Sequence, residues 1–102
     1  MKKHTTKEVK SGKWKYDNCK FMTVKIFELN YDYWYEIAKA DDRLEKNECP
    51  NLNSEGVSYM IKWGEGEFAD EDLVTKDWGG LDIVTAMNQA ESKVQGGIIW
   101  NE

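Results

Sequence analysis

The sequence predicts an α+β fold: an antiparallel β-sheet of three to five strands with one C-terminal helix, over about residues 81–95, packed on one face. Three observations predict it. Residues 19–29 and 57–63 are rich in β-branched and aromatic side chains and alternate with period two, as half-buried strands do. Residues 81–95 instead carry Ile83, Met87, Ala90 and Val94, spaced as one helical face. Strands first and a helix last, without a repeating βα pattern, imply segregated layers rather than a parallel sheet.

The elements follow in chain order. Residues 1–12 hold Lys2, Lys3, Lys7 and Lys10, with Val9 as the first apolar side chain after Met1. Short charged termini are usually unstructured unless docked, so the expectation is a flexible basic tail over 1–12 and a single domain over 13–102. Trp14-Lys15-Tyr16 begins an alternation, and Asp17-Asn18 is a turn pair. In the strand at 19–29, Met22, Val24 and Ile26 lie on one side, and Phe21, Thr23, Lys25 and Phe27 on the other. Asn30-Tyr31-Asp32 is a second turn.

Residues 33–40 fit two periods. As a helix they align Tyr33, Ile37 and Ala40 with Leu44. As a strand they use three consecutive aromatics in a hairpin, and that reading is preferred. Residues 41–56 are polar, contain the only Pro, and form a loop. The strand at 57–63 follows, closed by Gly64-Glu65-Gly66. Residues 67–78 are acidic around Phe68, Leu73, Val74 and Trp78 and take no assignment. Gly79-Gly80 breaks the chain before the helix, which has Asp82 in its first turn and Lys93 in its last, each suited to the macrodipole. Gly96-Gly97 stops it, and Ile98-Ile99-Trp100 is a short closing strand.

Charge is unevenly distributed. The net charge is −5, yet residues 1–25 hold eight Lys against two acids, while residues 26–102 hold six bases against seventeen acids. An acidic body repels phosphate backbones and attracts basic proteins, so direct nucleic-acid binding is not expected. No apolar run is long enough to cross a membrane, and the charged start has no apolar stretch of the secretory kind. Two cysteines, Cys19 and Cys49, make no disulfide framework, which points to free thiols in a reducing cytoplasm.

Chemistry-bearing patterns are sparse. The only His is His4, in the expected tail, so triads built on a histidine base are not anticipated. Two Cys and one distant His do not make a zinc site. An EF-hand loop opened at Asp70 would need an oxygen ligand at its fifth place, Gly at its sixth and Glu at its twelfth. The chain has Val74, Thr75 and Leu81 there. Gly64-Glu65-Gly66 and Gly79-Gly80 lack the Lys of a phosphate loop. No catalytic residue, metal or cofactor is therefore assigned, and the chain is read as a non-enzyme.

The remaining signals are acid density and tryptophan. The expected function is a small acidic binding or inhibitor protein of the immunity type, neutralising a basic macromolecular partner such as a toxin nuclease. Glu65, Glu67, Asp70, Glu71, Asp72, Asp77 and Trp78 are the first candidate contacts, and Asp41, Asp42 and Glu45 the second. The alternative is a small-ligand or carbohydrate module using Trp34, Tyr35 and Trp78.

Overall fold

The computed structural model of the chain describes residues 4–16, 20–65, 75–94 and 96–101. Five strands, β1 (Thr6–Tyr16), β2 (Lys20–Leu29), β3 (Ser58–Glu65), β4 (Thr75–Gly80) and β5 (Ile99–Trp100), form one sheet in the order β4-β3-β2-β1-β5. Every pairing is antiparallel. Among the described residues two helices complete the α+β fold: α1 (Tyr33–Ala40) between β2 and β3, and α2 (Ile83–Glu91) between β4 and β5.

The alternation read in β2 is buried on both sides. Val24 and Ile26 join Ile61, Ala86 and Ala90 in a cluster beneath α2. Phe27 and Leu29 join Met60 on the opposite face, with Tyr31, Tyr33 and Trp34 packed against them. Full burial of an aliphatic side chain stabilises by about 1.5–3 kcal/mol, so β2 and β3 anchor the molecule.

Residues 6–12 are not a tail. They are the first part of β1, paired from Thr6 opposite Leu29 to Gly12 opposite Val24, with a bulge between Glu8 and Lys10. Alternation explains how so basic a segment folds. Val9 and Trp14 turn toward the α2-side cluster, while Lys13 and Lys15 stay exposed. Lys25 of β2 meets Glu8 at 3.2 Å. The residues ahead of β1 are docked as well: Thr5 N–H donates to Asn30 Oδ1 (2.8 Å), and the His4 ring stacks on Tyr31 at 4.4 Å. Gly12 is required by β5, because a Cβ there would lie 2.8 Å from Ile98 Cγ2 and 2.9 Å from Ile99 O.

Residues 33–40 are helix α1, not the preferred strand. Asp32 decides it, from an extended backbone at the N-cap, by accepting from Tyr35 N–H. Glu36 in the first turn and Lys39 in the last complement the macrodipole. The stripe Tyr33, Ile37, Ala40 is not the packed face, since Ile37 and Ala40 are exposed. Tyr33 and Trp34 make the attachment.

Helix α2 matches the expected element but is shorter. Asp82 is its N-cap rather than a first-turn residue, and Ser92 its C-cap. Lys93 lies beyond the helix and instead reaches Asp77 at 3.7 Å. Ala86 and Ala90 are the fully buried positions, Met87 is only partly covered and Val84 is exposed. Two alanines let the helix sit close to the sheet, so enlargement there costs more than truncation at Met87. Ala90→Leu is expected to destabilise by about 1–3 kcal/mol through overpacking, read as a lowered chemical-denaturation midpoint.

The Asp82 carboxylate accepts from Thr85 N–H (2.7 Å) and Thr85 Oγ1–H (3.0 Å). These bonds hold its pKa below the ordinary carboxylate value. A depressed folded pKa adds stability above the unfolded pKa, and that stability is lost as pH falls through the folded value. Asp82→Ala is therefore expected to lower the melting temperature at neutral pH, by an amount that shrinks as the pH is lowered to about 2. Melting curves at the two pH values check this.

Two further expectations are settled in the same region. Gly79 and Gly80 do not break the chain but complete β4. A Cβ at Gly79 would lie 2.9 Å from Tyr59 O and 3.2 Å from Ala86 Cβ, so glycine lets β4 close against β3 and α2. The closing strand at Ile99–Trp100 pairs with Gly12 and Lys13, as expected.

Candidate binding site

The site begins at Asp32. One carboxylate oxygen caps α1 through Tyr35 N–H (3.2 Å), and the other accepts from Asn51 N–H at 2.8 Å. This buried side chain thus staples the returning 41–57 loop to the start of the helix. The loop is fixed at its far end too. Asn53 Oδ1 accepts from Glu55 and Val57 N–H, its Nδ2 donates to Leu81 O, and the buried Ser58 hydroxyl donates to Tyr31 O at 2.8 Å.

Trp34 follows two residues after the cap. Its ring meets Tyr33 edge-to-face at 5.2 Å and Trp78 of β4 at 5.8 Å. Such pairs add about 0.5–1.5 kcal/mol beyond their buried area. Beside the two indoles lies an open cleft of 340 Å³, lined by Asp32, Trp34, Asn51, Lys76, Asp77 and Trp78. On the α2 side of the sheet a second cleft, of 250 Å³, is lined by Trp14, Trp63, Thr75, Asp77, Lys93 and Val94. Both touch β4, an edge strand whose one partner among the described residues is β3.

The expected contacts divide. Trp78 and Asp77 both line the first cleft, but the Asp77 carboxylate accepts from Trp63 Nε1–H (2.7 Å) and lies near Lys93. Its first duty is to tie β4 to β3. Asp41, Asp42 and Glu45 are exposed, at the end of α1 and in the loop after it, where Asp41 pairs with Arg43 at 3.1 Å. Glu65 closes β3. Glu67, Asp70, Glu71 and Asp72 lie outside the described residues, as do Cys19, the Asp17-Asn18 turn, and Phe68, Leu73 and Val74. Cys49 is a free, exposed thiol.

Of the residues in the alternative reading, Trp34 and Trp78 are brought together, whereas Tyr35 is not part of the lining. Asp32 and Asn51 were missed. Asp32 just before an aromatic run, with Glu36 four residues on, was the available signal of a helix start. Nothing in the sequence pointed to Asn51, which reaches the cleft by a loop bond over nineteen residues.

The cleft itself is lined by two acids, Asp32 and Asp77, and one base, Lys76. Residues 32–55, which supply Asp32, Trp34 and Asn51, carry seven acids and three bases. In the sheet order the Lys-rich strands β1 and β2 are separated from β4 by β3. Among the described residues no three His, Cys, Asp or Glu side chains gather as metal ligands, and no helix is long and apolar enough to cross a membrane. Comparison with family models, curated proteins and solved structures returns no match to this chain.

Proposed function

We propose that this chain is a non-catalytic binding protein that captures a basic protein partner, acting as an immunity-type inhibitor of a toxin nuclease in the cytoplasm. The observation that carries the reading is the placement of the Trp34–Trp78 cleft beside the acid-rich 32–55 segment. Interfaces draw most of their affinity from a few aromatic anchors, while surrounding charge governs encounter and rejects wrong partners. The acids steer a cationic surface inward, the indoles receive one of its side chains, and the bound protein blocks the partner's basic cleft. The same acids disfavour a nucleic acid as the direct ligand.

The test is a pull-down from the native host at low and high salt, followed by stopped-flow association with the captured partner. Charge-neutralised variants Asp41→Asn/Asp42→Asn/Glu45→Gln and Asp70→Asn/Glu71→Gln/Asp72→Asn should associate more slowly and with a flatter salt dependence. The screening length of about 8 Å at physiological salt makes that slope measurable. Trp34→Ala should act mainly on dissociation, raising it by roughly 30-fold if the indole is a hot spot. Unchanged rates in all three variants overturn the reading.

A second reading, a small-ligand or carbohydrate module, is favoured by the cleft itself, whose volume is at the lower end of ligand pockets. Saturable change in tryptophan fluorescence on adding a ligand to the protein alone, abolished by Trp78→Ala, would establish it in place of the first.

A further inference from the structure

Alternation along β1 puts Lys13 and Lys15 on the face opposite Trp14, which packs against the α2-side cluster. The register fixes their neighbours. Lys15 stands opposite Phe21 of β2 and Lys13 opposite Ile99 of β5, and residues paired directly across an antiparallel sheet share a face. Helix α1 covers another part of that face, where Tyr33 and Trp34 rest on Phe27, Leu29 and Met60. Two large apolar side chains are thus left standing at one corner of the sheet, Phe21 53% exposed and Ile99 69%. With Lys13 and Lys15 they border a hollow of 270 Å³, and its Gly96 and Gly97 add no side chain that would cover them. No acid lines this hollow among the described residues. The ion pairs among those residues use His4, Lys25, Arg43 and Lys93, not Lys13 or Lys15. The Lys15 ammonium instead lies 5.9 Å from the centre of the Phe21 ring. Of the acids held by neighbouring side chains, Glu8 is engaged by Lys25 and Glu91 by Trp100 Nε1–H.

We propose that this corner is a docking surface for an anionic lipid bilayer: Phe21 and Ile99 enter the interface while Lys13 and Lys15 meet the headgroup phosphates. Peripheral proteins bind such surfaces by adding apolar burial to attraction for anionic lipid, and exposed apolar side chains set among lysines supply both. A pocket for a small anion would enclose its apolar walls, and 270 Å³ falls below the usual size of ligand pockets. A single nucleic-acid strand draws on several rings for stacking and gains nothing from Ile99. Attraction acts over a screening length of about 8 Å at physiological salt, so the charges at the corner count for more than the net −5. β5 and β4 end the sheet order on opposite sides, so a bilayer at this corner leaves the Trp34–Trp78 cleft accessible. The inference goes beyond the proposed function and does not rest on it.

The experiment is vesicle flotation with the full chain, using phosphatidylcholine alone or equal parts of phosphatidylcholine and phosphatidylglycerol. The protein is expected on the anionic vesicles, absent from the neutral ones, and released by high salt. Lys13→Gln/Lys15→Gln is expected to weaken partitioning by roughly tenfold or more. Phe21→Ser/Ile99→Ser is expected to weaken it by a similar factor at constant charge. Lys39→Gln/Lys46→Gln makes the same charge change at exposed positions away from the corner and is expected to leave binding nearly unaltered. Circular dichroism checks the fold of each variant, and Phe21→Trp, which keeps an aromatic ring, is expected to bind at least as well as the natural chain. No flotation with anionic vesicles at low salt overturns the docking surface, and so does an equal loss in the Lys39/Lys46 variant. Binding to a single-stranded oligonucleotide without binding to vesicles assigns the lysines to nucleic acid and overturns lipid docking.

Discussion

Deleting residues 1–12 is expected to unfold the chain. Those residues supply β1 from Thr6 to Gly12, the part paired with Val24 to Leu29. Their loss strips one side from the part of β2 that holds the buried Val24, Ile26, Phe27 and Leu29. It also removes Val9 from the α2-side cluster, the Thr5–Asn30 bond and the Asn101 N–H bond to Ser11 O (2.8 Å). Each backbone hydrogen bond exchanged for one to water costs about 0.5–1.5 kcal/mol net, and several are lost at once. A domain of this size has only about 5–15 kcal/mol in total. Circular dichroism and the NMR dispersion of the truncated protein check the point. A cooperative melt close to that of the full chain would mean that Thr6–Gly12 add nothing to the fold.

Phe27→Ala is expected to be the most damaging single truncation, at about 3–5 kcal/mol. Phe27 is 1% exposed on the central strand, and it packs with Leu29 and Met60 in the cluster that Tyr31, Tyr33 and Trp34 rest against. Its ring also lies 4.6 Å from the ammonium of Lys62, a lysine that is itself 5% exposed. Removing the ring leaves a cavity and takes away the face over which that cation sits, and a buried charge tolerates such losses poorly. Phe27→Leu keeps most of the volume but not the ring, so it separates the two contributions. Chemical denaturation of both variants gives the result. A midpoint shift worth less than about 1 kcal/mol for Phe27→Ala would show that this face is not a packed core. Because Tyr33 and Trp34 rest on the same cluster, the tryptophan emission of the folded Phe27→Ala protein should also report a loosened α1.

The sheet was legible where local pattern and tertiary environment agree. Residues 19–29 and 57–63 alternate so strongly that no other element suits them, and 81–95 carries a helical stripe with Asp82 near its start. The misreadings share a cause. At 33–40 a strong β-propensity run is overridden by one hydrogen-bonding carboxylate, Asp32, whose second oxygen is occupied by a residue nineteen positions away. At 6–12 lysines that read as a solvated tail are carried by a strand whose other side faces the core. Lysine composition reports the exposed side and is silent on the backbone, which pairs regardless of what the exposed side chains are.

The candidate site divides the same way. Its components were visible as residue types: Trp34 and Trp78 as aromatics in irregular surroundings, and the acids around them as a charge excess. By itself, then, the sequence determined the class of fold, the central strands, the C-terminal helix and the sign of the field, because each is set by spacing or charge within a short window. The tertiary structure alone decided that Trp34 meets Trp78 across forty-four residues, that Asp77 is turned inward to Trp63, and that β4 comes last in the strand order. Those facts depend on which strand pairs with which, and strand order is a choice among long-range contacts that no local period encodes.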